Sequence, residues 1–481
     1  MTTVPGMKRK FIHDISLNTL QVIVVQSCGL VIFYLLSTRL GKNEFGEINW
    51  ALAVLLTAFG ILAFGIDQVA VRRIAAGSDP TQLLSTYFTH VLTAGCIFYF
   101  ILFICSLIFP SFFNQHQVLL LLGIGKLMIF FSTPFKQLTT GLEKFKSLLI
   151  MAVTSNIIRA AALVILDALY QINVHVIVIV FIAGEIAELL VCLFIMQGVL
   201  KIPLKLRWNK NEYKVLRKEA LPQFGVAVFT SALSRLDWIF LGILASNVIL
   251  ANYSFAYKVF EVATLPMLVI APVLIPRFTK LFHSVDKIPE AKTNDLFVLL
   301  RLEIIVASFV ALLLNVLWVP VIDLLTVHKY GSVNQTTIML LSASMPFLYF
   351  NNFLWTINFA KGHLKMIFYV FLISFLVNLA GDIALIPFLK AEGAAIAYLV
   401  AIITQSVVYL KKTNLAGLKK NSLKLLLSPL AAIISGILTT TFISLLWISL
   451  LVAPIFYMLL LYVTGQIRFT DWLAFKRVTH F

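Results

Sequence analysis

Four ionisable residues stand inside two consecutive apolar segments of this chain: Arg235, Asp237, Lys258 and Glu261. A full charge near the centre of a bilayer costs roughly 2.5–3.5 kcal/mol even on lenient insertion scales. Four of them in one helical hairpin, Thr230 to Glu261, mark a polar pathway through an apolar setting. Two further cations, Lys126 and Arg159, lie in earlier apolar segments. Arg offers a planar fork of donors and Lys a mobile point charge, a pairing suited to an anion with many acceptor oxygens. Asp237 and Glu261 are candidates for ion coupling, because a carboxyl group in a dehydrated cavity exchanges H+ or binds Na+.

Each of these residues also has a plainer reading. Lys258 and Glu261 are three apart and share a helix face, which suits a local ion pair. Asp237 is two residues from Arg235, so the two point to different sides. Lys126 and Arg159 have Glu185 and Glu188 as alternative counter-ions. Asn351, Asn352, Trp355 and Asn358 form a polar, aromatic patch, and Ser374, Asn378 and Asp382 recur at i, i+4, i+8 on one helix face. Amides and aromatics suit sugar hydroxyls and pyranose faces, with Asn351 and Trp355 the leading candidates; equally, such residues hold membrane helices together.

The elements that carry these residues are membrane helices. Of 481 residues, 60% are hydrophobic and only 12% charged, against about 25% charged in a soluble domain. Runs of about 20 apolar residues fall near 15–38, 46–66, 84–109, 117–138, 147–170, 174–197, 221–245, 250–275, 297–325, 336–360, 366–389, 393–410, 425–447 and 449–465. The expected fold is all-α and polytopic, with about 14 transmembrane helices in two six-helix lobes and a C-terminal pair. The lobes are 1–200 and 221–410, joined by a basic cytoplasmic link at 201–220; residues 411–481 add a second basic link, helices 13 and 14 and a tail.

The net charge of +17 does not call for nucleic acid, which needs a basic face on a soluble domain. With both termini in the cytoplasm, about thirty Lys and Arg fall inside and only Arg39, Lys42, Lys329 and Lys390 outside. Most of the charge is therefore topogenic. The basic link, with Trp208 and Tyr213, also suits anionic lipid. Met1–Lys10 leads into an uncleaved first helix. Cys28, Cys96, Cys105 and Cys192 all lie in apolar runs without CxxC spacing and read as buried hydrophobes. The residues call for no cofactor or metal beyond a coupling H+ or Na+, and no GxxxxGK[ST] loop is present for ATP. The three prolines Pro266, Pro272 and Pro276 in the eighth span read as kinks or hinges.

An internal repeat is visible at an offset of about 205. Phe45–Ala51 opens the second span and Leu250–Ala256 the eighth, and Arg72 falls on Arg277. Six helices per repeat is an even number, so the halves keep one orientation, related by an axis along the membrane normal.

Gly41-Lys42-Asn43-Glu44-Phe45-Gly46, then Gly60, Phe64-Gly65 and Arg72, resemble the polysaccharide-export, Wzx-type family of flippases within the multidrug/oligosaccharidyl-lipid/polysaccharide exporter superfamily. With the helix count and the extra pair, the resemblance covers the whole chain. It implies two helical bundles around a cavity in the bacterial cytoplasmic membrane. It also implies translocation of an undecaprenyl-pyrophosphate-linked oligosaccharide for O-antigen, capsule or exopolysaccharide, and a polysaccharide polymerase and chain-length machinery as partners. A cationic cavity is carried over as a type, with Arg235, Lys258, Lys126 and Arg159 as its members in this sequence. Two other classes stay in view. A multidrug or metabolite antiporter of the same superfamily usually has twelve helices and an acidic cavity. A membrane polymerase or ligase would show a sizeable outside loop, and the longest here are about ten residues.

Overall fold

The apolar runs form helices, and each interruption in a run marks a break. The computed structural model describes residues 5–206, 208–267, 278, 290–413, 418–443 and 445–467, with no strand among them. The chain divides into two compact units, Met1–Arg235 and Leu236–Phe481.

The first unit holds α1 (Pro5–Arg39), α2 (Lys42–Leu62), α3 (Ile66–Ala75), α4 (Pro80–Ile108), α5 (Pro110–Gln115), α6 (Gln117–Gly141), α7 (Phe145–Ala168) and α8 (Val174–Phe194). The division between units falls inside α9 (Lys210–Leu244). Helix α6 packs against α2, α3, α4, α7 and α8, and its Leu122, Phe130, Phe135 and Leu138 are buried. Helix α1 lies along α7, and Arg39 at its end meets Asp167 at 2.5 and 3.0 Å.

The Phe-Gly pair after α2 is a turn. Phe64 (φ 54°) and Gly65 (φ 68°) both occupy the left-handed region, where a side chain costs roughly 1–2 kcal/mol per residue and glycine is at ease. Phe64 is held there by its ring, stacked on Phe224 at 4.4 Å between centroids, with the Arg217 guanidinium 5.3 Å away. The turn aims α3 so that Arg72 and Arg73 each reach Glu219 of α9 at 2.7 Å. The sequence pattern of Phe-Gly followed by Arg is thus a docking device for the start of α9. That start comes earlier than hydropathy places it. Asn209 accepts from the backbone N–H groups of Asn211 and Glu212, both at 3.2 Å, and this N-cap begins the helix within the polar stretch expected as a link.

The second unit holds α10 (Asn247–Ala263), α11 (Glu290–Thr326), α12 (Gln335–Ala343), α13 (Met345–Ala360), α14 (Leu364–Lys412), α15 (Leu418–Leu425), α16 (Leu427–Phe442) and α17 (Leu446–Val463). Helix α11 is central, packing against α12, α13, α16 and α17. Leu300 and Ile304 meet Leu354 and Ile357 on one side; Ile305 and Leu312 meet Ala432 and Tyr457 on the other. The Tyr457 hydroxyl donates to the Ile305 carbonyl at 3.0 Å. Lys390 (φ 53°, ψ −123°) breaks α14 into two arms, 364–389 and 391–412.

Ten helices among the described residues are long and apolar enough to cross a membrane. The expected fourteen is reached by adding the charged α9, the short α10, the broken pair α12–α13 and the second arm of α14. The repeat reappears in the helix bounds: α9 begins and ends 205 residues after α1, and α10 begins 205 after α2. Pro272, Pro276 and Arg277 lie outside the described residues.

The Arg73 hydrogen bond, seconded by Arg72, holds the Glu219 carboxyl below the ordinary carboxylate range. A depressed folded-state value gives stability that is present above the unfolded value of about 4.3 and is lost as pH falls through the folded one. The thermal-midpoint difference between the wild-type chain and Glu219→Gln is therefore expected to be constant above about pH 5.5 and to shrink below about pH 4. A difference that grows on acidification would show the pairing to be unimportant.

Candidate functional site: buried charges in each unit

In the first unit, three helices converge on two carboxylates one turn apart on α8. Glu185 is fully buried. It forms ion pairs with Lys126 of α6 and with Arg159 of α7, the latter at 3.3 Å. Two glycines make the room. A Cβ on Gly125 would stand 2.0 Å from Glu185 Oε2, and one on Gly184 would stand 2.8 Å from Arg159 Cγ. Arg159 also donates to Asn156 at 3.0 Å and to the Ser155 carbonyl at 3.1 Å, and it lies 5.1 Å from the Phe181 ring. Glu188 accepts from Lys136 at 2.6 Å, from Ser132 at 3.3 Å and from Ser155. The two cations nominated from sequence are thus brought together, and their shared counter-ion is Glu185. Glu188 takes Lys136, near the end of the fourth apolar run.

In the second unit, the buried Asp237 accepts from the Tyr253 hydroxyl and from the Trp238 backbone N–H at 2.9 Å. Asp382, from the first arm of α14, lies within electrostatic reach of Asp237 and of Tyr253. Its Oδ2 accepts from Asn378 Nδ2 at 2.8 Å. Asp382 Oδ1 and Asn378 Oδ1 are buried with no hydrogen-bond partner. Two carboxylates and a surplus amide oxygen make a cluster rich in acceptors and short of a proton or a hard cation. Sequence placed Asn378 and Asp382 on one face but did not connect them to Asp237, 145 residues away in the numbering; only the fold makes that link. Among the described residues, no group of three or more His, Cys, Asp and Glu is placed to hold a metal ion.

The remaining nominees are placed as follows. Lys258 and Glu261 form the local pair, 2.7 Å apart on α10. Arg235 is half-buried on α9. Asn351 is buried, with its amide donating to the Ile402 carbonyl at 3.0 Å and to Gln405 at 3.2 Å, while Ser406 donates to its oxygen at 2.8 Å. Both ends of that amide join α13 to the second arm of α14. Trp355 stacks on Phe359 of its own helix at 5.2 Å. Asn351 and Trp355 lie one turn apart on α13, the first buried between helices and the second partly exposed.

Removing one partner from a buried ion pair costs about 3–5 kcal/mol. Glu185→Gln leaves two buried cations without their counter-ion, whereas Lys126→Met leaves the Arg159–Glu185 pair intact. Glu185→Gln is expected to lower the apparent thermal midpoint in detergent by more than Lys126→Met does. The reverse order would show that Lys126, not Glu185, organises the cluster.

The family model described as "Polysaccharide biosynthesis protein" matches residues 11–282. No curated protein matches the chain. Among solved structures, the chain is similar to a lipid II flippase MurJ in an inward closed conformation, at 16% identity and TM-score 0.72, covering 92% of this chain and 98% of that one. It is similar to an inward-facing multidrug resistance MATE family transporter of the MOP superfamily, at 13% identity and TM-score 0.63, covering 82% and 96%. It is also similar to a MOP superfamily transporter from Pyrococcus furiosus described as having a reverse polarity of its binding pocket, at 11% identity and TM-score 0.60, covering 88% and 99%. These likenesses fix the fold.

Proposed function

We propose that this chain, which belongs to the polysaccharide biosynthesis protein family, is a flippase for undecaprenyl-pyrophosphate-linked oligosaccharide repeat units. It would work by alternating access in the bacterial cytoplasmic membrane, with both termini in the cytoplasm, and serve O-antigen, capsule or exopolysaccharide assembly. The observation that carries the proposal is the family match over more than half of the chain. The fold shared with a lipid II flippase supports it. The lipid-linked product would pass to a polysaccharide polymerase and its chain-length machinery.

The residues divide by how they are held. Lys126 and Arg159 are tied to Glu185, and Lys258 to Glu261, so a pyrophosphate would have to compete with a carboxylate at each. For the head group we take Arg235 first, because its planar guanidinium fork matches pyrophosphate oxygens and it belongs to the charged hairpin 230–261. Asp237 and Asp382 are the first choice for a coupling H+ or Na+, ahead of Glu261, because unpartnered oxygens remain at that cluster. A bound cation would neutralise that carboxylate pair. Asn351 is assigned to helix packing, and sugar contact is left to Trp355.

Deletion in the host tests the function. Lipid-linked repeat units should accumulate on the cytoplasmic face, and unchanged surface polysaccharide would sink the proposal. Sensitivity to cationic dyes with normal polysaccharide would favour the antiporter reading that the MATE likeness raises. Losing a charge-assisted hydrogen bond costs about 1.5–3 kcal/mol, so Arg235→Ala should lower export roughly ten-fold or more and Arg235→Lys by less. Asp382→Asn should reduce the dependence of export on the Na+ or pH gradient; full gradient dependence in Asp382→Asn would remove that cluster from coupling.

A further inference from the structure

Six acidic side chains are deeply buried among the described residues. Five have partners. Glu185 and Glu188 have cations, Asp237 has the Tyr253 hydroxyl, and Asp382 has the Asn378 amide. Asp323 accepts from the Gly331 and Ser332 N–H groups at 2.8 and 3.1 Å. Glu303, on α11, is different. It is 4% exposed, its Oε1 is buried without a hydrogen-bond partner, and among the described residues no ion pair reaches it.

Across from it, on α13, stands the Tyr349 hydroxyl, within electrostatic reach of Glu303 and beside the Met267 backbone. That hydroxyl is buried and makes no well-formed hydrogen bond. The surroundings are apolar: Leu300, Ile304, Phe350 and Phe353. An ionised carboxylate left alone there would cost far more than a neutral carboxyl group. Buried polar groups without partners are rare in folded proteins and call for an explanation. Two of them on packed helices and within electrostatic reach, one a carboxyl and one a hydroxyl, can exchange the roles of donor and acceptor when a single proton arrives or leaves. Glu303 lies six residues past Phe297, where the apolar run begins, or about 9 Å along the helix. A proton from the nearer membrane face has a short way to travel.

We propose that Glu303 and Tyr349 form a proton-binding site in the second unit, separate from the Asp237–Asp382 cluster. In the loaded form Glu303 is a neutral carboxyl. On release its O–H bond breaks, the proton passes to water at the membrane face, and the carboxylate accepts from the Tyr349 hydroxyl. The other titratable groups on the packed elements include Tyr409 of α14, buried in the same apolar cluster with its hydroxyl unpartnered, Tyr462 of α17, and Asp295 and Asp323 towards the two ends of α11. Arg301 is on the same helix, and Tyr457 of α17 is engaged with the Ile305 carbonyl. Lys258 and Glu261 of α10 pair with each other. Helix α15 carries Lys419, Lys420 and Lys424, while α12 and α16 carry no titratable side chain.

The site can be tested with protons alone, on the purified full chain in nanodiscs, by infrared difference titration of carboxyl C=O absorption from about pH 5 to about pH 10. A protonated-carboxyl band should titrate in that range, vanish in Glu303→Gln and persist in Asp382→Asn. Tyr349→Phe, which removes the donor to the carboxylate, should move its midpoint by about one pH unit towards alkaline. A Glu303 band that stays constant to the alkaline limit, or the absence of any band lost in Glu303→Gln, would overturn the proposal. Should Glu303→Gln fail to fold, the Tyr349→Phe shift decides alone: an unmoved midpoint sinks it.

Discussion

A carboxylate inside an apolar helix bundle has to be neutralised in place, and in the first unit Glu185 sets that requirement for three helices at once. Lys126 and Arg159 must come from α6 and α7 to meet it on α8. That meeting fixes how the three helices are rotated about their axes. It also explains two glycines that have no turn to make. Gly125 and Gly184 sit in helix interiors, where glycine costs roughly 0.5–1 kcal/mol relative to alanine. There they leave space for the carboxylate and for the stem of the arginine. A methyl group at Gly125 would occupy the Glu185 oxygen itself. The charge cluster and the helix packing are one arrangement.

The second unit handles its acids differently. Asp237, Asp382 and Glu303 are deeply buried, as Glu185 is, but hydroxyl, backbone and amide groups contact the first two, and Oε1 of Glu303 has no hydrogen-bond partner among the described residues. Uncompensated carboxyls at membrane depth respond to protons and small cations in a way that closed ion pairs do not. Under the proposed function, a coupling ion would therefore be held in the second unit. The first unit's charges act mainly as framework.

Much of this fold is legible in the sequence, because membrane helices announce themselves by length and hydropathy. The Phe64-Gly65 turn and the basic end of α3 are local features, and the spacing of the residues carries them. The Lys258–Glu261 pair is local too, fixed by three residues of helix. What sequence does not reveal is contact between distant helices. Nothing in a single chain connects Asp237 with Asp382, shows that Gly125 is opposite a carboxylate, or tells a paired Glu188 from an unpaired Glu303. Nor does hydropathy find the true start of α9, since Asn209 begins that helix through its side chain while the residues after it are polar. The Asn351 amide makes a related point: an amide that joins two helices and one that binds a sugar look alike in sequence, and here its partners lie on the second arm of α14.

The repeat gives the asymmetry of charge its meaning. Helices α1 and α9 keep the same length and a constant offset of 205, and α2 and α10 begin at that same offset. At that offset Arg235, Asp237, Lys258 and Glu261 correspond to Leu30, Ile32, Ala53 and Leu56. The helix bounds keep that offset while the polar residues do not. Insertion costs for each charge weigh against drift towards polarity in lipid-embedded helices. Charges that one copy carries and the other lacks are then better explained by a task given to the second copy than by the common scaffold. Asp237 fits that account most closely: it occupies the place of an isoleucine, it is fully enclosed, and it faces a second carboxylate drawn from a different part of the chain.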